Sequence, residues 1–133
     1  MTQVITRHEC EKRMSKAVVH GGVVYLAGVV SLDRQNDIRL QTADVLSQVD
    51  SYLAAVDSTK ELVLSAQIWL KDIVRDFSGM NEVWEAWIAK GHAPARATCQ
   101  AQLGSPEMLV EIIITAAVET TKKITNPMLF FHT

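Results

Sequence analysis

Cysteine is scarce: only Cys10 and Cys99 occur in 133 residues. Two are too few for a disulfide framework, so the core must hold the fold. Glycine and proline are also few, at six and three residues, and they are scattered. The chain shows no linker, internal repeat or low-complexity tract. Positive charge is not in excess. Thirteen Lys and Arg against fifteen Asp and Glu give a net charge of -2, unlike the basic balance of a dedicated nucleic-acid binder. Long hydrophobic runs are missing too. The most apolar stretch, Leu109–Val118, contains Glu111 and falls far short of the roughly 20 residues a membrane helix needs. Met1 to Arg13 carry no apolar signal core. These absences set the expectation of a reduced, cytoplasmic protein with neither nucleic acid nor membrane as partner.

What is present is globular. Hydrophobic residues make up 48% and charged residues 21%, which excludes disorder and coiled-coil arrays. The length fits one domain, expected over residues 1–120. Residues 121–133 change character, with Lys122 and Lys123 followed by Ile124-Thr-Asn-Pro127-Met-Leu-Phe-Phe131. Such a tail docks on its own domain, docks on a neighbour, or is a cloning remnant. The sequence leaves the three open.

Ala17–His20 and Val23–Ala27 are β-rich runs separated by Gly21-Gly22, the pattern of a hairpin with a tight primed turn. Gly28 ends the second run, where a close approach is expected. Leu46, Val49, Leu53 and Val56 keep a 3-4-3 spacing, one face of a helix over about residues 41–57. Leu62, Leu64, Ala66, Ile68 and Leu70 alternate as one side of a strand. Asp76 is placed to cap a second helix with the apolar face Phe77, Met80, Trp84, Trp87 and Ile88, and Gly91 to close it. Two strands come next. Ala95, Ala97, Cys99 and Ala101 share one face of the first. Val110, Ile112, Ile114, Ala116 and Val118 share one face of the second. The order is ββαβαββ, an α+β domain whose mixed sheet carries two helices on one face.

Read as a hairpin with both apolar faces toward the helices, the last two strands pair Ala97 with Ile114, Cys99 with Ile112 and Ala101 with Val110. That register puts Arg96, Thr98 and Gln100 with Glu111 and Ile113 on the opposite face. A face bearing an Arg, a Glu, a Trp and several aliphatics implies cover by another subunit.

Arg96 and Glu111 stand out on it. A guanidinium presents a planar fork suited to a carboxylate. A half-buried glutamate can have its pKa raised and move protons through a water. The plainer reading of the pair is an Arg–Glu salt bridge sealing a subunit contact, and pattern alone favours it. His8, His20, His92 and His132 show no metal-ligand spacing, so no metal is expected. Cys99 reads as a packed thiol. Gly21-Gly22 is a turn rather than a phosphate loop, because no helix comes directly after it.

Pro94-Ala95-Arg96-Ala97-Thr98, with Leu103, Pro106 and Val110-Glu111-Ile112 after it, resembles the signature of the reactive-intermediate deaminase family, also called YjgF/YER057c/UK114. The resemblance spans roughly residues 12–119. It includes Ser15-x-Ala17-Val18, Tyr25-Leu26-Ala27-Gly28, Lys71-Asp72 and Asn81-x-x-Trp84. It implies a chorismate-mutase-like fold and a homotrimer with clefts between subunits. It also implies hydrolysis of 2-enamine and 2-imine acids to 2-keto acids and ammonia, with no metal or organic cofactor. Carried over by motif, Arg96 binds the substrate carboxylate. Glu111 activates the attacking water and returns a proton to the departing amine. Gly28 and Thr98 line the cleft, and Asn81 matches a helix position near it. Two positions depart from the pattern. Met14 stands where the best-characterised deaminases have a tyrosine, and Ala27 where a serine often precedes the glycine. Both changes remove polar groups, although Met14 can pack on an apolar substrate side chain. The resemblance is therefore to a divergent branch.

Two functions fit. One is a deaminase acting on a small 2-imino or 2-enamino acid. The other is a non-catalytic or regulatory trimer that holds 2-keto acids or other small carboxylates in the same cleft. Arg96 serves both, whereas Glu111 beside a water serves only the enzyme. Ribonuclease activity, attached to some relatives, is disfavoured by the acidic balance and the lack of a basic aromatic groove.

Overall fold

The computed structural model describes residues 4–34 and 37–119. The apolar tail, residues 121–133, lies outside them. The elements in chain order are β1 (Thr6–Cys10), β2 (Ser15–His20), β3 (Val23–Leu26), β4 (Val29–Val30), α1 (Ile38–Ala54), β5 (Val63–Leu70), α2 (Ile73–Trp87), β6 (Ala95–Gln100) and β7 (Val110–Ala117). All seven strands join one mixed sheet, and both helices pack on it. The ββαβαββ order is thus present, with β1 and the two-residue β4 added. Among the described residues no helix is long and apolar enough to cross a membrane.

The β2–β3 hairpin forms as the sequence dictates. Gly21 and Gly22 take φ of +60° and +79°, both in the region a primed turn demands. His20 then faces Val23, and Val19 faces Val24. Each helix starts on an aspartate. Asp37 accepts from the amides of Arg39 and Leu40 to cap α1, which begins and ends about one turn earlier than its apolar spacing suggests. Asp72, not Asp76, caps α2 by accepting from Arg75 N at 3.1 Å. Asp76 lies inside the helix, 4% exposed, and takes two bonds from Arg75 at 3.0 and 2.9 Å. Gly91 does not close α2 either. The helix stops at Trp87, and Gly91, with φ of +81°, shapes a separate turn closed by His92 N donating to Ala89 O.

The strand order is β1-β2-β3-β7-β5-β6, with β4 also on β7. The expected β6–β7 hairpin does not exist. Helix α2 is the crossover from β5 to β6, and a β-α-β unit returns its second strand parallel to the first. β6 therefore lies parallel to β5 at the sheet edge, pairing Ala97 with Gln67 and Cys99 with Trp69. β7 takes the other side of β5, pairing Ile114 with Ala66 and Ile112 with Ile68. Residues in register share a face. Arg96 and Thr98 thus stand on the helix side with Ala66 and Ile68, while Ala95, Ala97 and Cys99 face away and are exposed. The expected faces of β6 are reversed.

The core lies between sheet and helices. Val24, Val45, Val49, Leu53, Ile68, Leu70, Met80, Val110 and Ile112 are all 0% exposed, each worth roughly 1.5–3 kcal/mol of burial. The alternation of β5 breaks once. A bulge between Val63 and Ser65 buries Val63 and turns Leu64 out, half exposed.

Candidate active site

Arg96 reaches from edge strand β6 up to α2. Its Nη1 donates to Asn81 Oδ1 at 2.7 Å. Its guanidinium carbon lies 5.9 Å from the Phe77 ring centre and 5.7 Å from that of Trp84. Phe77, Asn81 and Trp84 keep an i, i+4, i+7 spacing, so one stripe of α2 supplies all three. Partial burial draws the guanidinium pKa down, and the charge of Glu85 works against it. Among the described residues Arg96 forms no ion pair, so no carboxylate occupies its fork. Thr98, two residues on and on the same side, has a buried hydroxyl without a hydrogen-bond partner. A cation held by rings and an amide, beside a free hydroxyl, is a receptive surface for a small anion.

Glu111 stands on β7 and faces the other way. It is in register with Trp69, and Trp69 with Cys99, all on the side without helices. Its carboxylate packs over Gly28, which has no side chain to obstruct it. Gly28 lies where the chain leaves β3 and before β4 rejoins β7. Burial pushes the Glu111 carboxyl above its ordinary pKa. Val18, Tyr25, Trp69, Ile113 and Thr115 share this face, and Tyr25 is half exposed.

Arg96 and Glu111 are therefore not brought together within one chain. They occupy opposite faces of the sheet, on strands separated by β5. The sealing salt bridge is not formed within the chain either. Asn81 and Thr98 belong with Arg96, and Gly28 belongs with Glu111. Met14 stands in the β1–β2 turn, 45% exposed, where its carbonyl accepts from Glu11 N at 2.8 Å. A cavity of about 630 Å³ lies elsewhere, between Asp37, Arg39, Lys71, Arg75, Asp76 and Glu107. It holds none of these residues.

A family model described as Endoribonuclease L-PSP matches residues 5–118. The chain belongs to this family, the YjgF family. The RutC family protein YoaB of Escherichia coli is 44% identical over 86% of this chain and 98% of its own length. The solved structure of NMB1025, a YjgF family member from Neisseria meningitidis, superposes with a TM-score of 0.84 at 43% identity, covering 87% of this chain and 96% of that one. Rv2704 of Mycobacterium tuberculosis, of the YjgF/YER057c/UK114 family, gives 0.76 at 27% identity over 88% and 100%.

The YjgF signature thus supplies residues to both faces of this sheet: Arg96 and Thr98 to one, Glu111 to the other. Phe77 and Trp84 escaped the sequence reading as partners of Arg96, because apolar residues at helical spacing read as core. Trp84 is indeed buried, at 5% exposed, but Phe77 is 42% exposed. The signal was the polar Asn81 set between them, four residues after Phe77 and three before Trp84.

Proposed function

We propose that this YjgF family chain hydrolyses 2-imino acids, and the 2-enamino acids that tautomerise to them, to 2-keto acids and ammonia. The working unit is a homotrimer whose clefts join Arg96, Thr98 and Asn81 of one chain to Gly28, Glu111 and Met14 of the next. One observation carries the reading: among the described residues the guanidinium lacks a carboxylate and the half-buried glutamate lacks a cation, on opposite faces. A neighbouring copy is the simplest way to complete both halves.

The chemistry needs little more. Arg96 takes the substrate carboxylate on N–H groups not used by Asn81, and the Thr98 hydroxyl adds a donor. Glu111, as carboxylate, accepts a proton while water oxygen bonds the C=N carbon and the π pair moves to nitrogen. The proton passes to that nitrogen. The carbinolamine then collapses: Glu111 relays the hydroxyl proton to the amino nitrogen, the C–N bond breaks, ammonia leaves with its electron pair, and an oxygen lone pair closes the ketone C=O. Positioning supports addition to an already electrophilic carbon, and the acid–base part is worth about 10²–10⁴-fold.

Met14 and Ala27 favour a second reading. They put a thioether and a methyl where the deaminase pattern has hydroxyls, which suits a trimer that binds keto acids without turnover. The test generates 2-imino acids in situ with an amino-acid oxidase and traps the remainder with semicarbazide. Suppression of trapped imine by the wild type, lost in Arg96→Ala and Glu111→Gln, supports the enzyme. Binding of keto acid with no suppression for any imine supports the carrier.

A further inference from the structure

A cavity of about 150 Å³ lies against the stretch of chain that carries Gly28. Its walls include Lys16, Ala27, Gly28, Val29, Val30 and Tyr52. The sheet sets it beside Glu111, because Val30 is the register partner of Glu111 and Val29 that of Ile112. Ala27 N donates to Lys16 O at 2.9 Å. That bond ties β2 to the chain leaving β3 and fixes Lys16 on the cavity wall.

Lys16 is half-buried, and its ammonium lies 6.0 Å from the Tyr52 ring centre. A ring face holds a cation in place without neutralising it. Among the described residues Lys16 forms no ion pair. The other polar groups at the cavity are spent on one another. Gln48, which also borders it, donates to Val30 O at 2.8 Å and to Asp44 Oδ2 at 3.0 Å. The same Asp44 oxygen takes the Ser31 hydroxyl at 3.1 Å and the Leu32 amide at 2.8 Å. Glu111 is not the partner either. Burial alone acts on its carboxyl, and a cation close by would oppose that. What remains around Lys16 is a methyl, two isopropyl groups and a ring. An ammonium against such walls is poorly hydrated, so a carboxylate paired with it there gains more than it would in open water.

We propose that Lys16 binds a second carboxylate, at the end of the ligand's side chain, so that the ligand class is the dicarboxylic 2-imino and 2-keto acids. The inference rests on the cleft proposed above, in which Lys16 belongs to the half that supplies Gly28, Glu111 and Met14. Arg96 of one chain takes the carboxylate next to the C=N carbon. Glu111 of the next chain meets that carbon, and the side chain runs past Gly28 into the cavity. A cavity of this order holds a group about as large as benzene, which is room for one or two methylenes and a carboxylate. Ala27, Val29 and Val30 cover the methylenes. Two carboxylates anchored on two chains hold the reacting carbon between them.

The experiment titrates 2-oxoglutarate and, as the uncharged comparison, 2-oxohexanoate into the full chain by calorimetry. Wild type, Lys16→Met and Lys16→Arg are compared. The dicarboxylate is expected to bind wild type about 10-fold tighter or more, the scale of a hydrogen bond to a charged group. Lys16→Met is expected to erase that preference and Lys16→Arg to keep it. Equal affinities in the wild type, no binding of the dicarboxylate, or a preference that survives Lys16→Met overturns the proposal. Turnover gives a second readout. D-aspartate oxidase makes 2-iminoglutarate from D-glutamate, and D-amino-acid oxidase makes 2-iminohexanoate from D-norleucine. The ratio of kcat/KM for the first imine to that for the second is expected to fall about 10-fold in Lys16→Met. The two readings fail separately. Lys16-dependent binding of 2-oxoglutarate with no imine turned over keeps this proposal and removes the hydrolase. Turnover of the uncharged imine with no preference for the dicarboxylate does the reverse.

Discussion

The carboxylate of Glu111 lies so close over Gly28 that a Cβ at residue 28 would overlap its Oε2. The obstacle is the end of a flexible side chain rather than backbone. In Gly28→Ala the carboxylate therefore swings aside at small energetic cost. Thermal melts are expected to move by less than about 1 kcal/mol, while imine turnover falls about 10²-fold. A large loss of stability with intact turnover would mean that the carboxylate position does not matter.

Asn81 aims the Arg96 fork through its 2.7 Å bond. Asn81→Ala is expected to cost about 1–2 kcal/mol of stability and to raise KM for imino acids more than it lowers kcat. Asn81→Asp gives Arg96 an internal carboxylate and weakens substrate binding further. Steady-state kinetics on both variants check the order.

Burial pushes the Glu111 carboxyl up, and that fixes two signs. A group favoured in its protonated form by the fold contributes stability at low pH. That contribution is lost as pH rises from the ordinary glutamate value of about 4.3 through the raised one. Glu111→Gln is free of this loss. It is expected to be more stable than wild type near neutral pH, with the advantage closing as pH approaches about 4. On the proposed mechanism turnover needs the carboxylate, so its acid limb is displaced upward and disappears in Glu111→Gln. In the proposed trimer a neighbouring Arg96 opposes the displacement, so in Arg96→Ala any residual activity rises at still higher pH. Chemical denaturation across pH and a pH–rate profile test these signs.

The cap on α2 is Asp72. Asp72→Ala is expected to destabilise by about 1 kcal/mol, and Asp72→Ser to restore most of it. Because α2 carries Asn81, the alanine variant also raises KM modestly. Melts and kinetics on the same two proteins separate the effects.

Local rules recovered the local structure. Gly21-Gly22 announces its turn, and Leu46, Val49 and Leu53 are all buried on α1. Long-range order escaped them. Nothing in the alternation of Ala95 to Gln100 says whether β6 runs parallel to β5 after α2 or folds back on β7. Small and polar residues also leave the faces of an edge strand nearly equivalent. Two aspartates four residues apart, Asp72 and Asp76, both fit a cap, and only the end of β5 at Leu70 decides between them. The bulge at Leu64 has no glycine to mark it. The motif singled out Arg96 and Glu111, and the sheet order sets them on opposite faces, which no motif conveys.

Of the described strands β7 is made last, yet it lies between β3 and β5. Until residue 117 has left the ribosome, the nascent chain holds two partial sheets, β1 to β3 and β5 with β6, each with an open edge, and β4 has no partner. The strand that closes both edges is also the one that carries Glu111. A message or ribosome that stops short of it releases a sticky polypeptide rather than a weakened protein. Quality control of this chain is thus concentrated in β7, where completion of the sheet and arrival of the Glu111 carboxylate are a single event.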